Sequence, residues 1–332
     1  MAVDFPKKVV HGGTGKWQRE KTRKNVLDFS ASTNPFPPQF AWNPGEVQLE
    51  WYPDDQYREL KKRIADTFHR KPEEICVGNG SIEIIRVFCS VVLGQDKTFF
   101  LTPPTFGEYE LSALLTGANR TVDPRKADVT FICNPNNPTG ILQDKAAMED
   151  HLAARAAAGG MLFCDEAFIG LADPAQSLID VKDPHLFVLH SLTKSFSVPG
   201  IRFGFGFGDP CLIEKIETAR SPWSVNSFAE SYALEAFRHI DRLAESRAAI
   251  GRERDWLVSR ITELGLHCYP SAVNYLLVGC SRPVTPLCDR LAHQGILVRD
   301  CSSFGLPDCI RIAVRTRDEN HLLVGALGTC LH

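Results

Sequence analysis

Four residues with complementary chemistry stand where short apolar runs give way to polar residues. Lys194 lies in SLTKSFSVPGIRFGF (191–205), Asp165 ends MLFCD, Asn137 lies in CNPNNPTG, and Arg202 follows Lys194 by eight positions. A cofactor with a pyridine ring, an aldehyde and a phosphate asks for such a set, with an amine for the aldehyde and a buried acid for the ring nitrogen. Lys194 supplies the amine and can afterwards act as general acid and base. Asp165 ends an apolar strand, where a buried carboxylate would keep the ring nitrogen cationic. Arg202, with Ser191 and Thr193, could clamp the phosphate through the charged fork of its guanidinium. Taken singly these are a capping aspartate, a solvated lysine and a paired arginine. On successive strand ends they read together as one site.

A fifth feature is VGNGSIEII (77–85), a strand run followed by a Gly-Asn-Gly turn and the first turn of a helix. Its residues Gly80, Ser81 and Ile82 would offer free N–H groups and the positive end of a helix dipole to an anion. Two other glycine-rich stretches carry less. GGTGKW lacks the spacing and the final Ser or Thr of a nucleotide-binding P-loop, and GFGFG lacks the third glycine of a dinucleotide site.

The elements that must hold these residues show in the hydrophobic pattern. Tyr57, Leu60, Ile64 and Phe68 recur at helical spacing and predict a helix over 54–69. Apolar runs then alternate with turns and helical patterns, which predicts an α/β fold with a mostly parallel sheet. Strands are expected at 128–134, 160–166, 186–191 and 201–207, and ligands in such sheets sit at the carboxyl ends of strands. LAARAAAGG fits an alanine-rich helix that ends at glycine. Beyond residue 210 a long helical region (227–264) precedes the strand candidates NYLLVG and CIRIAV. The expected organisation is an N-terminal segment on the active site (1–50), a large domain (51–225), and an interdomain helix with a small C-terminal domain (226–332).

Composition narrows the class. The chain has 332 residues, 44% of them hydrophobic, and a formal net charge of −3, ample for a large core with a second, smaller domain. The only basic run is the short one from Lys16 to Lys24, so neither a nucleic-acid nor a membrane surface is expected. The N-terminus lacks the apolar stretch of a signal peptide, and no window approaches the roughly 18 apolar residues of a membrane span. Eleven cysteines, odd in number and without a CxxC pair, predict a reduced cytoplasmic protein without a metal site. Cys133 and Cys164, inside apolar runs, are expected to pack as small core residues.

The motifs CNPNNPTG, CDEAF, SLTKSFSVPGIRFGF and CIRIAVRT, in this order and spacing, resemble the fold-type I pyridoxal-phosphate enzymes of the aminotransferase class I/II superfamily. The resemblance covers nearly the whole chain. It implies an aspartate-aminotransferase-like fold with a seven-stranded, mostly parallel sheet, a small C-terminal α/β domain and a homodimer with active sites at its interface. It implies pyridoxal 5'-phosphate as cofactor, Lys194 as the lysine that binds it as a Schiff base, Asp165 as partner of the ring nitrogen and Asn137 as donor to the ring hydroxyl. By the same resemblance Gly80, Ser81, Ile82, Ser191, Thr193 and Arg202 form the phosphate cup, and Phe106 stacks on the ring. Tyr52 in WYPD resembles the tyrosine that reaches the neighbouring subunit's cofactor, and Arg311 the arginine that holds the substrate carboxylate.

Position 168 separates branches of this superfamily. Most of its aminotransferases carry tyrosine where this chain has Phe168; phenylalanine resembles the threonine-phosphate decarboxylases of cobalamin biosynthesis. His11-Gly12-Gly13, LDFSASTNPFPP and Ile82 are similar to that branch too, while Thr14 and Ser32-Thr33 depart from it. Arg299 in ILVRDCSSFG resembles a phosphate-gripping arginine shared with histidinol-phosphate enzymes, and His11 and Asn34 are further candidate substrate contacts. The leading expectation is therefore decarboxylation of L-threonine O-3-phosphate to (R)-1-amino-2-propanol phosphate. The alternative is a histidinol-phosphate or related aminotransferase, and a third class is a cofactor-binding protein without turnover.

Overall fold

The computed structural model describes residues 5–22 and 25–331. Arg23 and Lys24 of the basic run, the first four residues and His332 lie outside them. Seven strands form the main sheet: β1 (Ile75–Gly78), β2 (Thr98–Leu101), β3 (Asn119–Arg120), β4 (Val129–Cys133), β5 (Met161–Asp165), β6 (Leu186–Ser191) and β7 (Gly204–Phe207). Their spatial order is β1-β7-β6-β5-β4-β2-β3. Strands β2 to β6 run parallel, and β7 is antiparallel to both of its neighbours.

The central strands VTFIC, MLFCD and LFVLHS are apolar along almost their whole length because both faces are covered. On one face Leu60 and Ile64 of the helix Arg58–Phe68 join Tyr232 and Phe237. On the other, Ile85 and Phe88 of the helix Ser81–Val92 pack with Ile213 and Ile216. Cys133 and Cys164 are buried within these layers as expected.

Four short antiparallel strands, Arg299–Asp300, Cys309–Ala313, Tyr275–Gly279 and His267–Cys268, make a second sheet in that order. Leu257 and Ile261 of the helix Leu243–Glu263, Leu287 and Leu291 of Thr285–His293, and Leu323 and Leu327 of Arg317–Cys330 close its core. The N-terminal segment belongs to both bodies. Leu27–Asp28 pairs in parallel with Ile296–Leu297 and Phe29 enters the small core, whereas Phe36, Phe40 and Trp42 pack on the large one.

Three boundaries differ from those expected. The helix expected over 54–69 begins at Arg58, after Tyr57 in left-handed geometry (φ 47°), and the Asp54 carboxylate accepts the Arg58 N–H at 3.0 Å. The long helical region is two helices, Ser227–Ala236 and Leu243–Glu263, parted by a tighter 237–242 turn where His239 leaves helical geometry and stacks on Phe40. The strand expected from residue 201 starts only at Gly204, since Arg202 has φ 62°. Among the described residues, no helix is long and apolar enough to cross a membrane.

Candidate active site

Parallel strands end on the same side, and the register shows what meets there. Cys133 of β4 lies opposite Asp165 of β5, Asp165 opposite Leu189 of β6, and Ser191 opposite Gly204 of β7. Above these ends, between the two sheets, is a cavity of about 450 Å³ whose lining includes Lys194, Asp165, Asn137, His11, Arg299 and Arg311. With Ser81, Ile82 and Phe106, which line it too, nine of the expected site residues thus meet in one place.

Asp165 is buried. Its Oδ2 accepts the Tyr109 hydroxyl at 2.6 Å and its Oδ1 the Ala167 N–H at 2.9 Å. Burial raises its pKa, and these hydrogen bonds pull the other way. Burial and the Asp165 charge push the Tyr109 phenol well above its usual range, so it remains a donor. Among the described residues Asp165 makes no ion pair, and a cationic ring nitrogen is the partner a buried carboxylate of this kind needs.

Lys194 sits on the short turn Leu192–Ser195 that follows β6. Its Nζ makes no ion pair among the described residues and lies 5.7 Å from the centre of the Phe168 ring. Burial, then the charges of Arg311 and Arg202, lower its pKa to about 8. Asn34 keeps this turn in place: its backbone N–H donates to Lys194 O (3.0 Å), and its Nδ2 donates to Ser195 O (2.8 Å). Its Oδ1 accepts the Phe36 N–H at 2.9 Å. Asn34 is therefore a loop anchor, not the substrate contact expected, because both ends of its side chain are used within the fold.

Arg299 and Arg311 stand directly opposite each other on neighbouring antiparallel strands. Arg311 Nη1 donates to Asn137 Oδ1 and Nη2 to Ser30 O (3.0 Å), while its buried Nε has no partner. Arg299 Nη2 donates to Val10 O (2.7 Å) and Ser303 Oγ (2.6 Å). Like charges so placed repel, and an anion between them offsets the repulsion.

At the other end of the cavity, Ser81 and Ile82 are the first residues of their helix, so their N–H groups have no intrahelical acceptor. Gly80, at φ 81°, is where a Cβ would stand 2.3 Å from Arg202 Nη2, and a Cβ on Gly204 would stand 2.5 Å from the Ser81 nitrogen. The glycines let Arg202 and the Ser81 turn close into one anion cradle. The buried Thr193 hydroxyl donates to Phe203 O (3.3 Å) inside the loop. Ser191 lines a second cavity, behind the Lys194 turn.

Phe106 and Phe168 also line the cavity. Phe168 packs edge-on to Tyr275 at 5.1 Å, but the Tyr275 hydroxyl donates to Asn136 O (2.9 Å) and does not replace the tyrosine missing at position 168. His11 reaches the mouth, with Nε2 2.8 Å from Glu108 Oε1. Tyr52 is 79% exposed, stacks on Trp223 at 4.6 Å and stays outside its own chain's cavity. Sequence reasoning missed Tyr109 and Glu108, although both adjoin Phe106 in TFGEY; the one signal was the three-residue spacing of Phe106 and Tyr109. An amine, an unpaired buried acid, an aromatic wall and an anion cradle together fit pyridoxal phosphate.

The family model described as Aminotransferase class I and II matches residues 111–327. A histidinol-phosphate aminotransferase of Symbiobacterium thermophilum is 30% identical, over 95% of this chain and 93% of that protein. A protein of Caldanaerobacter subterraneus subsp. tengcongensis, named "Putative threonine-phosphate decarboxylase", is 32% identical over 90% of this chain and 88% of its own. The crystal structure of the histidinol-phosphate aminotransferase from Clostridium acetobutylicum is similar with a TM-score of 0.83 and 29% identity, covering 92% of this chain and 99% of that one.

Proposed function

The chain belongs to the aminotransferase class I and II family and is a pyridoxal-phosphate-dependent enzyme, and on that premise we propose that it transaminates a phosphorylated amine, histidinol phosphate. This reverses the order expected from the sequence, which put threonine-phosphate decarboxylation first. The opposed pair Arg299 and Arg311 carries the substrate class. Two guanidiniums at one end of the cavity suit a phosphate in one half-reaction and the two carboxylates of glutamate in the other. The choice of transamination rests on the histidinol-phosphate aminotransferases among its relatives. The eleven unpaired cysteines fit a cytoplasmic enzyme.

Lys194 would hold the cofactor, Asp165 would face its ring nitrogen, Asn137 its ring hydroxyl, Phe106 the ring face, and Arg202 with the Gly80–Ile82 turn its phosphate. Bound there, pyridoxal phosphate supplies a carbonyl for the substrate amine and an electron sink for the bond broken at the α-carbon. The residues do the rest. Lys194, its pKa lowered to about 8, would take up and return a proton at that carbon, more readily as the pH rises toward that value. Tyr109 and Ala167 fix the orientation of Asp165, which would favour a positive charge on the ring nitrogen it faces. Arg299 and Arg311 orient the substrate and so select which α-carbon bond lies in the reactive direction.

Phe168 favours a second reading. A phenylalanine there removes a hydroxyl from beside Lys194, and with HGG at 11–13 it supports decarboxylation of L-threonine O-3-phosphate in cobalamin biosynthesis. One experiment separates the two. The enzyme is given histidinol phosphate with 2-oxoglutarate, and in parallel L-threonine O-3-phosphate alone, with products read by mass. Glutamate and imidazole-acetol phosphate are expected; carbon dioxide and aminopropanol phosphate without glutamate formation would sink the first reading.

A further inference from the structure

Residues 9–13 form a strap along the mouth of the cavity and are tied to both domains. On the large-domain side Val9 packs on Gly107, where even a Cβ would stand 3.3 Å from its methyl groups, and His11 pairs with Glu108. On the small-domain side the Val10 carbonyl accepts from Arg299. The Gly13 N–H donates to Ser30 Oγ at 2.8 Å, and that hydroxyl donates to Asp28 Oδ1 at 2.6 Å.

Glu108 is the buried charge in this arrangement, its side chain only 6% exposed. Its Oε2 accepts from Arg86 Nη2 at 2.8 Å, and its Oε1 is turned to His11 at the same distance. A carboxylate kept only to neutralise Arg86 would face Arg86 with both oxygens, and Arg86 Nε is in fact buried without a partner. The second oxygen instead engages a cavity-lining histidine. Glu108 is also flanked by Phe106, Gly107 and Tyr109, which line the same cavity, so a rigid segment presents it.

We propose that Glu108 is a positioning residue that holds His11, and through it the Val9–Gly13 strap, over the Arg299 end of the cavity, so that Val10 keeps Arg299 aimed at the substrate phosphate. The inference rests on the reading that the substrate is phosphorylated. Glu108 touches neither cofactor nor substrate; its effect passes through His11 and Arg299.

The test uses the holoenzyme, with inorganic phosphate as a competing probe. Glu108→Gln is expected to keep the cofactor absorbance and kcat, to raise KM for the phosphorylated substrate, and to weaken phosphate inhibition by about tenfold, the loss typical of one charge-assisted hydrogen bond. Adding His11→Ala should weaken it no further, since both act through one contact, and Glu108→Asp should restore part of it. Trypsin should nick Lys7 and Lys8 faster in the Gln variant. If phosphate competes with wild type and Glu108→Gln leaves that competition unchanged, or if the two substitutions multiply, the positioning role is overturned. If phosphate fails to compete even with wild type, the phosphorylated-substrate reading falls, and this inference with it. Should Glu108→Gln not fold, His11→Gln, on the more exposed side of the pair, must show the same raised KM and weakened phosphate competition, and an unchanged KM overturns the role.

Discussion

An amine attacks a carbonyl only when it is neutral, and the surroundings of Lys194 favour the neutral form. Burial and the nearby charges of Arg311 and Arg202 bring its pKa from 10.5 to about 8. A lowered lysine pKa means that the reactive fraction rises with pH and saturates above that value. The rate at which the apoprotein captures pyridoxal phosphate, followed by absorbance, should therefore reach half its maximum near pH 8 and change little beyond pH 9. Replacing Arg311 by Gln removes one of the charges that lower it, so the midpoint should move upward. Lys194→Ala should lose turnover by on the order of 10²- to 10⁴-fold or more, as expected when a general acid/base that also holds the cofactor is removed. Tyr109→Phe leaves Asp165 with one donor; a cost of about 1–3 kcal/mol should appear as weaker cofactor retention in equilibrium dialysis. Lys194, Asp165, Asn137, Arg299 and Arg311 were legible because each lies in a motif with its own chemical reason. Tyr109 and Glu108 were not, since nothing local tells a helical tyrosine or glutamate that it will face Asp165 or His11 across the fold. Asn34 and Thr193 show the converse: a polar side chain near a site is as readily engaged by backbone as by ligand.

At the level of elements, the anion cradle depends on two glycines on different strand ends. Gly80 at φ 81° would bring a Cβ to 2.3 Å from the movable tip of Arg202, whereas a Cβ on Gly204 would meet the Ser81 backbone nitrogen at 2.5 Å. Gly80→Ala should cost about 1–3 kcal/mol through left-handed strain and weaken cofactor binding by displacing Arg202. Gly204→Ala should be worse, because backbone cannot step aside as a guanidinium can. Thermal denaturation of the two apoproteins, with cofactor titration of each, checks the order. Most elements were readable from period and composition, the parallel core strands most plainly, since continuous burial writes continuous apolar runs. What failed were boundaries set by single residues. Arg202 takes a left-handed conformation and delays β7, and His239 leaves helical geometry to stack on Phe40. Neither event has a signature within a few residues of sequence. The pairing of Leu27–Asp28 with Ile296–Leu297 was equally unreadable, because its partners are nearly a chain length apart.

For the molecule as a whole, the exposed aromatics near residue 50 have no task within one chain. Trp51 is 71% exposed and Tyr52 79%, with Leu49 beside them and Trp223 stacked on Tyr52. Large apolar side chains gathered at one place on a surface mark an interface more often than scattered ones do. A second copy is the occupant that also gives Tyr52 a function, since the resemblance places this tyrosine at the neighbouring subunit's cofactor. We propose a homodimer with a twofold axis that presents each Tyr52 to the other chain. Sedimentation velocity should give twice the chain mass. Trp51→Glu with Tyr52→Glu places two carboxylates in that contact and should shift the equilibrium toward monomer, with weaker cofactor retention in the same samples. Tyr52→Phe keeps the apolar area and removes only the hydroxyl, so it should leave the dimer intact while loosening the cofactor. Monomers at all concentrations of the unmodified chain, with full cofactor retention, would show that each cavity is complete on its own and that the exposed aromatics serve something else.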